Sequence, residues 1–288
     1  MLTRCRQLGW SIVGCDAKRD GKRSSANRSS IVHKMCTKEV LVPVNDIEEE
    51  SIERKMSYDD VKFIRKLESG IRVTKEGQYE MPLPFKSDDV HLPDNRHTAL
   101  KRLDQLKRRF ERDEKYREQY TAYMNDMIQQ GFMEPGEGEG RRWFIPHHGV
   151  YHPKKPNKLR VVYDCSATHG GASLNDELLQ GPDLINSLVG ILLRFRKYDV
   201  AIACDIEKMF HQFKVPTNQR RFFSLLWWPD GKVEKEPKPY QMTAHVFGAV
   251  SSPGCANYGL KKAAEDGEEA YGSEAANFVR HNFMWTTG

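Results

Sequence analysis

The fold is decided by residues 200–215, which read VAIACDIEKMFHQFKV. The small and apolar residues at 200–204 predict a buried strand that runs directly into the carboxylate of Asp205. A carboxylate at the end of a strand is poorly solvated unless it is paired or holds a cation. Composition alone leaves both interpretations open: Asp205 caps the next helix, or it binds a cation.

A second motif lies downstream, where residues 247–257 read FGAVSSPGCAN. Glycine and serine lead into a helix expected over residues 253–269, with Pro253 in its first turn. Backbone N–H groups at such a helix start favour anions or a nucleic-acid backbone. The alternative is an ordinary capped helix, since this motif is weak by itself.

A third motif is a basic stretch at residues 154–164, which read KKPNKLRVVYD. Its four cations flank a predicted strand at 159–163 and suit contact with phosphate groups; they are Lys154, Lys155, Lys158 and Arg160. Taken alone, the same pattern also describes a charged surface hairpin.

Short apolar runs alternate with turns after Arg141 and predict strands. We place them at residues 143–145, 159–163, 200–204, 222–228 and 243–247, with helices near 184–196 and 253–269. Strands mixed with helices, without a regular βαβ period, indicate an α+β domain.

The upstream part is organised differently. Apolar residues at three- and four-residue spacing predict a long basic helix that Asp94 or Asn95 caps and Gly131 ends. Residues 81–85, MPLPF, are expected to be extended because of their prolines. The acidic segment 46–60 is expected to be solvated, and residues 1–45 to be mostly disordered, since their composition cannot support a core.

Composition limits the class of protein. The 288 residues carry a net charge of +5, which permits nucleic-acid binding without requiring it. No apolar run approaches the ~18–20 residues needed to cross a bilayer, and no signal peptide is recognisable, so we expect no membrane contact. The six cysteines form no C-x-x-C pair and are interpreted as reduced thiols, which favours an intracellular protein, cytoplasmic or nuclear.

In combination, the three motifs resemble the fingers and palm of a reverse transcriptase, specifically that of Pao/BEL-type LTR retrotransposons. The resemblance rests on residues 143–167, 173–196, 200–215, 222–231 and 246–260. It continues more weakly upstream, and residues 8–14 resemble the last strand of a retroviral-type aspartic protease. The chain has no Asp-Thr/Ser-Gly triplet, so no working protease is expected.

This resemblance implies an α+β right-hand polymerase fold with fingers and palm, truncated before the thumb. The implied organisation is a mostly disordered linker with a possible protease remnant at 1–45, a helical segment before the fingers at 46–140, and a fingers and palm fragment at 141–288. The implied partners are an RNA or DNA template–primer and a deoxynucleoside triphosphate, and the implied cofactor is Mg²⁺. Oligomeric state is not implied.

The resemblance also implies roles for individual residues. Asp205 matches the catalytic aspartate that binds the metal ions, and Phe210 matches the aromatic gate that rejects a ribose 2′-OH. The nucleotide's phosphates would meet Arg160 and the backbone N–H groups of Lys208 and Met209. The remaining matches support nucleotide, template or primer: Phe247, Gly248, Ser252, Pro253, Lys154, Lys155 and Lys158.

The last part of the chain departs from the family. Nucleotidyl transfer needs two Mg²⁺ ions held by several carboxylates, and the family supplies them in an aromatic-x-Asp-Asp hairpin after an apolar strand. That strand is expected here at residues 277–283, but Met284-Trp-Thr-Thr-Gly288 follows it. A one-base frame shift through Tyr-Val-Asp-Asp codons yields Met-Trp-Thr-Thr; natural divergence is the alternative. We therefore expect this chain to be inactive.

Three functional hypotheses remain. The first is an inactive fragment of an RNA-directed DNA polymerase, from a polyprotein that would also carry ribonuclease H, integrase and protease. The second is a non-catalytic nucleic-acid-binding remnant or domesticated element protein, served by basic residues at 101–117 and 154–160. The third, a protein-interaction module, depends only on the exposed basic helix and the acidic cluster.

Overall fold

The computed structural model describes residues 10–12, 56–136, 140–153, 155–197, 200 and 203–283. Helices and strands are mixed along the chain, which confirms the α+β class. The disorder expected for residues 1–45 concerns a range that lies outside the described residues, apart from a short strand at Trp10–Ile12. The tail at 284–288 also lies outside them.

The helices are α1 (Tyr58–Gly70), α2 (Arg96–Arg112), α3 (Glu114–Gln129), α4 (Leu174–Glu177), α5 (Leu188–Phe195), α6 (Ser252–Asp266), α7 (Glu268–Tyr271) and α8 (Ser273–Asn282). The strands are β1 (Trp10–Ile12), β2 (Arg72–Val73), β3 (Tyr79–Glu80), β4 (Met133–Pro135), β5 (His147–His152), β6 (Lys155–Tyr163), β7 (Cys204–Ile206), β8 (Ser224–Trp227) and β9 (Lys238–Met242). Short 3₁₀ segments cover Met209–Gln212, Thr217–Phe223 and Pro229–Gly231.

The strands pair in small antiparallel sheets. Strands β5 and β6 form a hairpin in which Val150 lies opposite Arg160. Strand β9 lies between β4 and β8, and β2 pairs with β3. Strand β7 pairs with β1, so that Ser11 lies opposite Asp205. No helix in the described ranges is both long and apolar enough to cross a membrane.

The larger core lies where α2 and α3 cover the β5–β6 hairpin and β8. Its centre is aromatic: Tyr120 stacks on Trp227 with ring centroids 5.7 Å apart, and Phe110 meets Tyr120 edge-on at 5.4 Å. These three rings are at most 1% exposed. Offset or edge-on aromatic pairs add to the stabilisation from burial, so this cluster holds the helices on the hairpin.

One histidine is fully enclosed by this core. The Nδ1 atom of His147 lies 2.6 Å from the Tyr120 hydroxyl, and its Nε2 atom lies 3.0 Å from the Leu226 carbonyl oxygen. Burial lowers the pKa of His147 to about 4, because the charged imidazolium would lose its hydration there. The imidazole ring of His147 is therefore neutral in the folded protein at physiological pH.

The single long helix predicted upstream is two helices. The chain breaks at Asp113, whose backbone is extended and whose carboxylate accepts a hydrogen bond from the N–H of Tyr116 at 2.9 Å. Asp113 therefore caps α3. The three- and four-residue spacing of apolar residues continues across the break, because each of the two helices buries an apolar face. Gly131 follows with a φ of 69° and confirms the predicted end.

Four strand predictions after Arg141 differ from the structure. The strand expected at residues 200–204 covers Cys204–Ile206 instead, so that Asp205 lies inside it rather than after it. The strand expected at residues 243–247 instead covers Lys238–Met242, where Pro239 lies at a position that pairs with β8. The strand expected at residues 277–283 is helix α8, since its sequence begins Ser-Glu-Ala-Ala and alanine favours a helix. At residues 143–145, the structure has an isolated bridge between Phe144 and Ser224 rather than a strand.

The other predicted elements agree more closely with the structure. Strands β6 and β8 and helix α6 overlap the expected ranges, although β6 begins four residues earlier, and residues 81–85 are free of helix. Helix α5 begins at Leu188, four residues later than expected, and Asn186 and Ser187 precede it in a non-helical segment. Helix α1, capped by Ser57, was not predicted and begins inside the acidic segment.

Candidate nucleotide and nucleic-acid site

Asp205 occupies the middle of strand β7, and its side chain is exposed. The family pattern led us to expect that this strand pairs with residues 277–283. That prediction is wrong, because residues 277–282 are helical, and the strand pairs with Trp10–Ile12 instead. Within the described part of the chain, no group of three or more His, Cys, Asp or Glu side chains could hold a metal ion. The described residues thus bring one carboxylate of the predicted set, Asp205, to this place.

Phe210 and Phe247 meet, although they are distant in sequence. Phe210 follows Asp205 in a 3₁₀ turn and is 8% exposed, whereas Phe247 is 54% exposed. Their ring centroids are 5.7 Å apart in an edge-on arrangement. One ring is therefore fixed in a small core, and the other presents an aromatic face to solvent beside it.

The loop after Phe247 is attached to the end of the β5–β6 hairpin. Gly248 has a φ of 125°, and a Cβ atom at this position would lie 2.0 Å from the carbonyl oxygen of Tyr163. Asn175 fastens the same loop, because its amide donates to the Gly248 carbonyl at 3.1 Å and its Oδ1 accepts from the Val250 N–H at 2.9 Å. Only glycine fits this close approach of two backbones.

Helix α6 begins behind the loop. Ser252 is buried and Pro253 is exposed in its first turn, as the sequence predicted for a proline that opens a helix. Helix α6 packs against Phe63 of α1. A Cβ atom added at Gly254 would lie 2.8 Å from the Phe63 ring, and one added at Gly181 would lie 2.7 Å from it. The ring of Phe63 therefore holds the helix start against the preceding chain.

The predicted cations are distributed along the hairpin. Arg160 lies on β6 and Lys158 is exposed near its start, while Lys155 contributes its backbone to β6 and Lys154 lies outside the described residues. Arg160 is partly buried, whereas Val161 enters the core, as the alternation of a strand requires. The hairpin reaches the loop through Tyr163, three residues beyond Arg160.

Lys208 has a role that the sequence did not reveal. Its φ of 49° places it in the left-handed region, and its ammonium donates to Asp126 at 2.6 Å and Gln130 at 2.8 Å. This hydrogen bond lowers the pKa of the Asp126 carboxyl below its ordinary value. The Lys208 side chain thus ties the turn after Asp205 to α3, while Met209 beside it is half-buried. No local signal links positions 126 and 208.

The three predicted segments are consequently joined by specific contacts: the turn containing Phe210, the loop at 247–253, and the end of the hairpin at Tyr163. Chemically, the assembly offers an exposed carboxylate, an exposed aromatic face and a hairpin with cations. Comparison with models of known protein families and with curated proteins finds no match for this chain.

Proposed function

We propose that the chain carries the fingers and palm elements of a Pao/BEL-type RNA-directed DNA polymerase. In this form, it binds deoxynucleotide and template–primer without polymerising. The observation that carries this proposal is the contact between Phe210 and Phe247, with Gly248 packed on Tyr163. The resemblance requires these three segments to surround one nucleotide, and they come from parts of the chain about forty or more residues apart.

The chemistry of the exposed groups supports nucleotide binding. The exposed face of Phe247 suits an apolar sugar or base surface, and Phe210 is buried firmly enough to act as a wall. Arg160 on the hairpin would contact the phosphates, since a guanidinium matches phosphate oxygens in two-point geometry. Among the residues that the structure describes, Asp205 carries the carboxylate that would bind Mg²⁺, because this ion prefers oxygen ligands.

Inactivity in polymerisation follows from charge. Thr286 and Thr287 stand where the resemblance expects an acidic pair, and a neutral hydroxyl attracts Mg²⁺ far less than a carboxylate does. Without two further negative charges, the polymerase's usual pair of ions lacks ligands. This chain is therefore proposed as a binder in which the polymerase chemistry is absent.

Equilibrium binding of dTTP and of its ribose counterpart 5-methyl-UTP to the purified chain, with Mg²⁺ present, tests the proposal. We expect dTTP to bind more tightly, and Phe210→Val to narrow the difference, because a smaller side chain no longer rejects the 2′-OH. Phe213→Val is the matched control, since Phe213 belongs to the same buried cluster. Equal binding of dTTP and 5-methyl-UTP by the unaltered chain would contradict the assignment of Phe210.

Primer extension tests the second half of the proposal. We expect no template-dependent incorporation by the unaltered chain. Incorporation that disappears in Asp205→Asn would show that a complete metal site forms, and would overturn the proposed inactivity.

The alternative is the non-catalytic nucleic-acid binder. It is favoured by the same cations on the hairpin, which would contact a phosphate backbone without any nucleotide. Binding of an oligonucleotide that weakens with salt, together with no measurable dTTP binding, would support this alternative.

A further inference from the structure

A cleft of about 530 Å³ lies between the edge of the three-stranded sheet and the 3₁₀ segment Thr217–Phe223. Its walls carry four arginines and one carboxylate: Arg141, Arg142, Arg220, Arg221 and Glu134. The lining therefore has an excess of three positive charges. None of these residues belongs to the predicted nucleotide site.

The interior of the cleft is held in place by Gln241, which is 7% exposed. Its side-chain oxygen accepts from Arg142 at 2.8 Å, and its amide donates to Glu134 at 2.8 Å. Glu134 also pairs with Arg220 at 3.0 Å. Because these contacts fix the guanidinium planes before any ligand arrives, little side-chain entropy remains to be lost on binding.

The rim carries the remaining cations, since the side chains of Arg141 and Arg221 are exposed. The guanidinium of Arg221 lies 5.0 Å from the centre of the Phe222 ring, a contact that restrains its direction. Cations fixed at a rim and in a wall attract a ligand that presents several negative groups.

We propose that this cleft binds the phosphate backbone of single-stranded nucleic acid. The planar forks of several arginines match successive phosphate groups, and the hydroxyl of Thr217 and the amide of Asn218 add neutral donors. An acidic peptide fits less well, because Pro135 is the sole apolar side chain among the lining residues and a peptide needs pockets for its anchors.

The size of the cleft favours one strand. Its volume lies within the roughly 300–1,000 Å³ typical of small-ligand sites, which suits a short stretch of single strand rather than a duplex. The lining residues include no aromatic side chain on which bases could stack, so recognition is independent of base sequence. None of the residues that line the cleft is among those assigned to the proposed nucleotide site.

Fluorescence anisotropy of a labelled oligothymidylate of about 12 nucleotides tests the proposal, with the double variant Arg141→Gln/Arg221→Gln. Both side chains are exposed, so their replacement leaves the fold intact. We expect the affinity to fall at least roughly tenfold at low salt. The slope of log K against log salt should decrease in magnitude by about 1.4, because two phosphate contacts are lost.

The matched control is Arg65→Gln/Arg196→Gln, which removes two exposed arginines outside the cleft. An equal loss of affinity in both double variants would overturn the proposal, since net charge alone would then explain binding. Complete displacement of the oligonucleotide by millimolar inorganic phosphate, at constant ionic strength, would also overturn it by indicating a small-anion site. If dTTP binding fails but the cleft variant weakens oligonucleotide binding selectively, the cleft stands without the proposed polymerase ancestry.

Discussion

Two regions of the molecule differ in how far their apolar residues are buried. In the hairpin region, formed by β5, β6, α2, α3 and β8, the large rings of Phe110, Tyr120 and Trp227 are buried. In the α5–α8 region, formed by those two helices, helix α5 has the sequence LVGILLRF, yet none of its eight residues is buried. Helix α5 is therefore more exposed than α2 and α3, although its sequence is more apolar than theirs.

The α5–α8 region contains several polar contacts. The amide of Asn186 donates to the carbonyl oxygens of Arg280 at 2.9 Å and Phe283 at 2.8 Å, and the Arg194 guanidinium donates to Asn282 at 3.0 Å. These contacts fasten α8 to the chain around α5 without covering the exposed leucines. Apolar composition alone thus does not determine burial; a partner surface in the described chain does.

The largest expected effect contrasts the two regions directly. Trp227→Ala should lower the free energy of unfolding by about 3–5 kcal/mol, because it empties a site in the hairpin region that is fully buried. Leu192→Ala in the α5–α8 region should change it by no more than about 0.5 kcal/mol, since that side chain is 52% exposed. Urea denaturation measures both, and a comparable cost at Leu192 would break the comparison.

The hairpin region should also make the protein sensitive to acid. The pKa of His147 is about 4 in the folded state and 6.5 in an unfolded chain, so the unfolded state binds a proton first. The resulting stabilisation is present above pH 6.5 and is lost as the pH falls towards 4. Its full size is on the order of 3 kcal/mol.

Urea denaturation at pH 7.5 and pH 4.5 measures this loss. His147→Gln should make the stability less dependent on pH, and His148→Gln, at the exposed neighbouring position, is the control that keeps His147. The buried His211 and His245, whose pKa values burial also lowers to about 4, will retain part of it. Identical pH profiles for both variants would contradict the role of His147.

A smaller effect is expected at the junction of the hairpin with the 247–253 loop. Gly248→Ala should cost about 2–3 kcal/mol, because the new methyl meets the Tyr163 carbonyl and the backbone lies at φ 125°. Gly131→Ala is the control: its φ is also positive, but nothing lies within 4 Å of its Cβ position. Thermal unfolding should show about 1 kcal/mol for the control. Equal costs would mean that strain, rather than the contact, dominates.

The smallest effect concerns the bond between Lys208 and Asp126. Both side chains are partly exposed, so a double-mutant cycle with Lys208→Met and Asp126→Asn should give a coupling of about 0.5 kcal/mol. The coupling should weaken as salt is added. Because the pKa of Asp126 is lowered in the fold, its stabilisation is present above the ordinary carboxyl pKa and is lost as the pH falls through the lowered value. A coupling insensitive to both salt and acid would exclude this ion pair as a link.

Local signals in the sequence were sufficient for several elements. The valines before Tyr163 predicted β6, Pro253 predicted the start of α6, and Gly131 predicted the end of α3. Each depends on backbone chemistry within a few residues. The strand expected at 277–283 was wrong because an apolar run bounded by polar residues does not distinguish strand from helix, and two alanines decide for the helix.

The candidate site was only partly accessible from sequence. The motif containing Phe247 and Gly248 identified the loop, and the motif containing Asp205 identified the aromatic Phe210 that meets it. The link between Lys208 and Asp126 spans 82 residues, and the arginine cleft gathers residues from separate elements. Such arrangements depend on tertiary packing, for which no short pattern exists.

The ring of Phe63 between Gly181 and Gly254 has a consequence for how this sequence can evolve. A methyl group at either glycine would approach the ring to within 2.8 Å, so neither position tolerates alanine while the phenylalanine remains. A smaller residue at position 63 would remove the contact with the ring at both places, but Gly181 would keep its φ of 85° and a Cβ atom at Gly254 would still lie 3.0 Å from the Gln180 carbonyl oxygen. Homologous chains that carry alanine at 254 should therefore lack the aromatic ring at 63, whereas position 181 should keep its glycine for the sake of its backbone conformation.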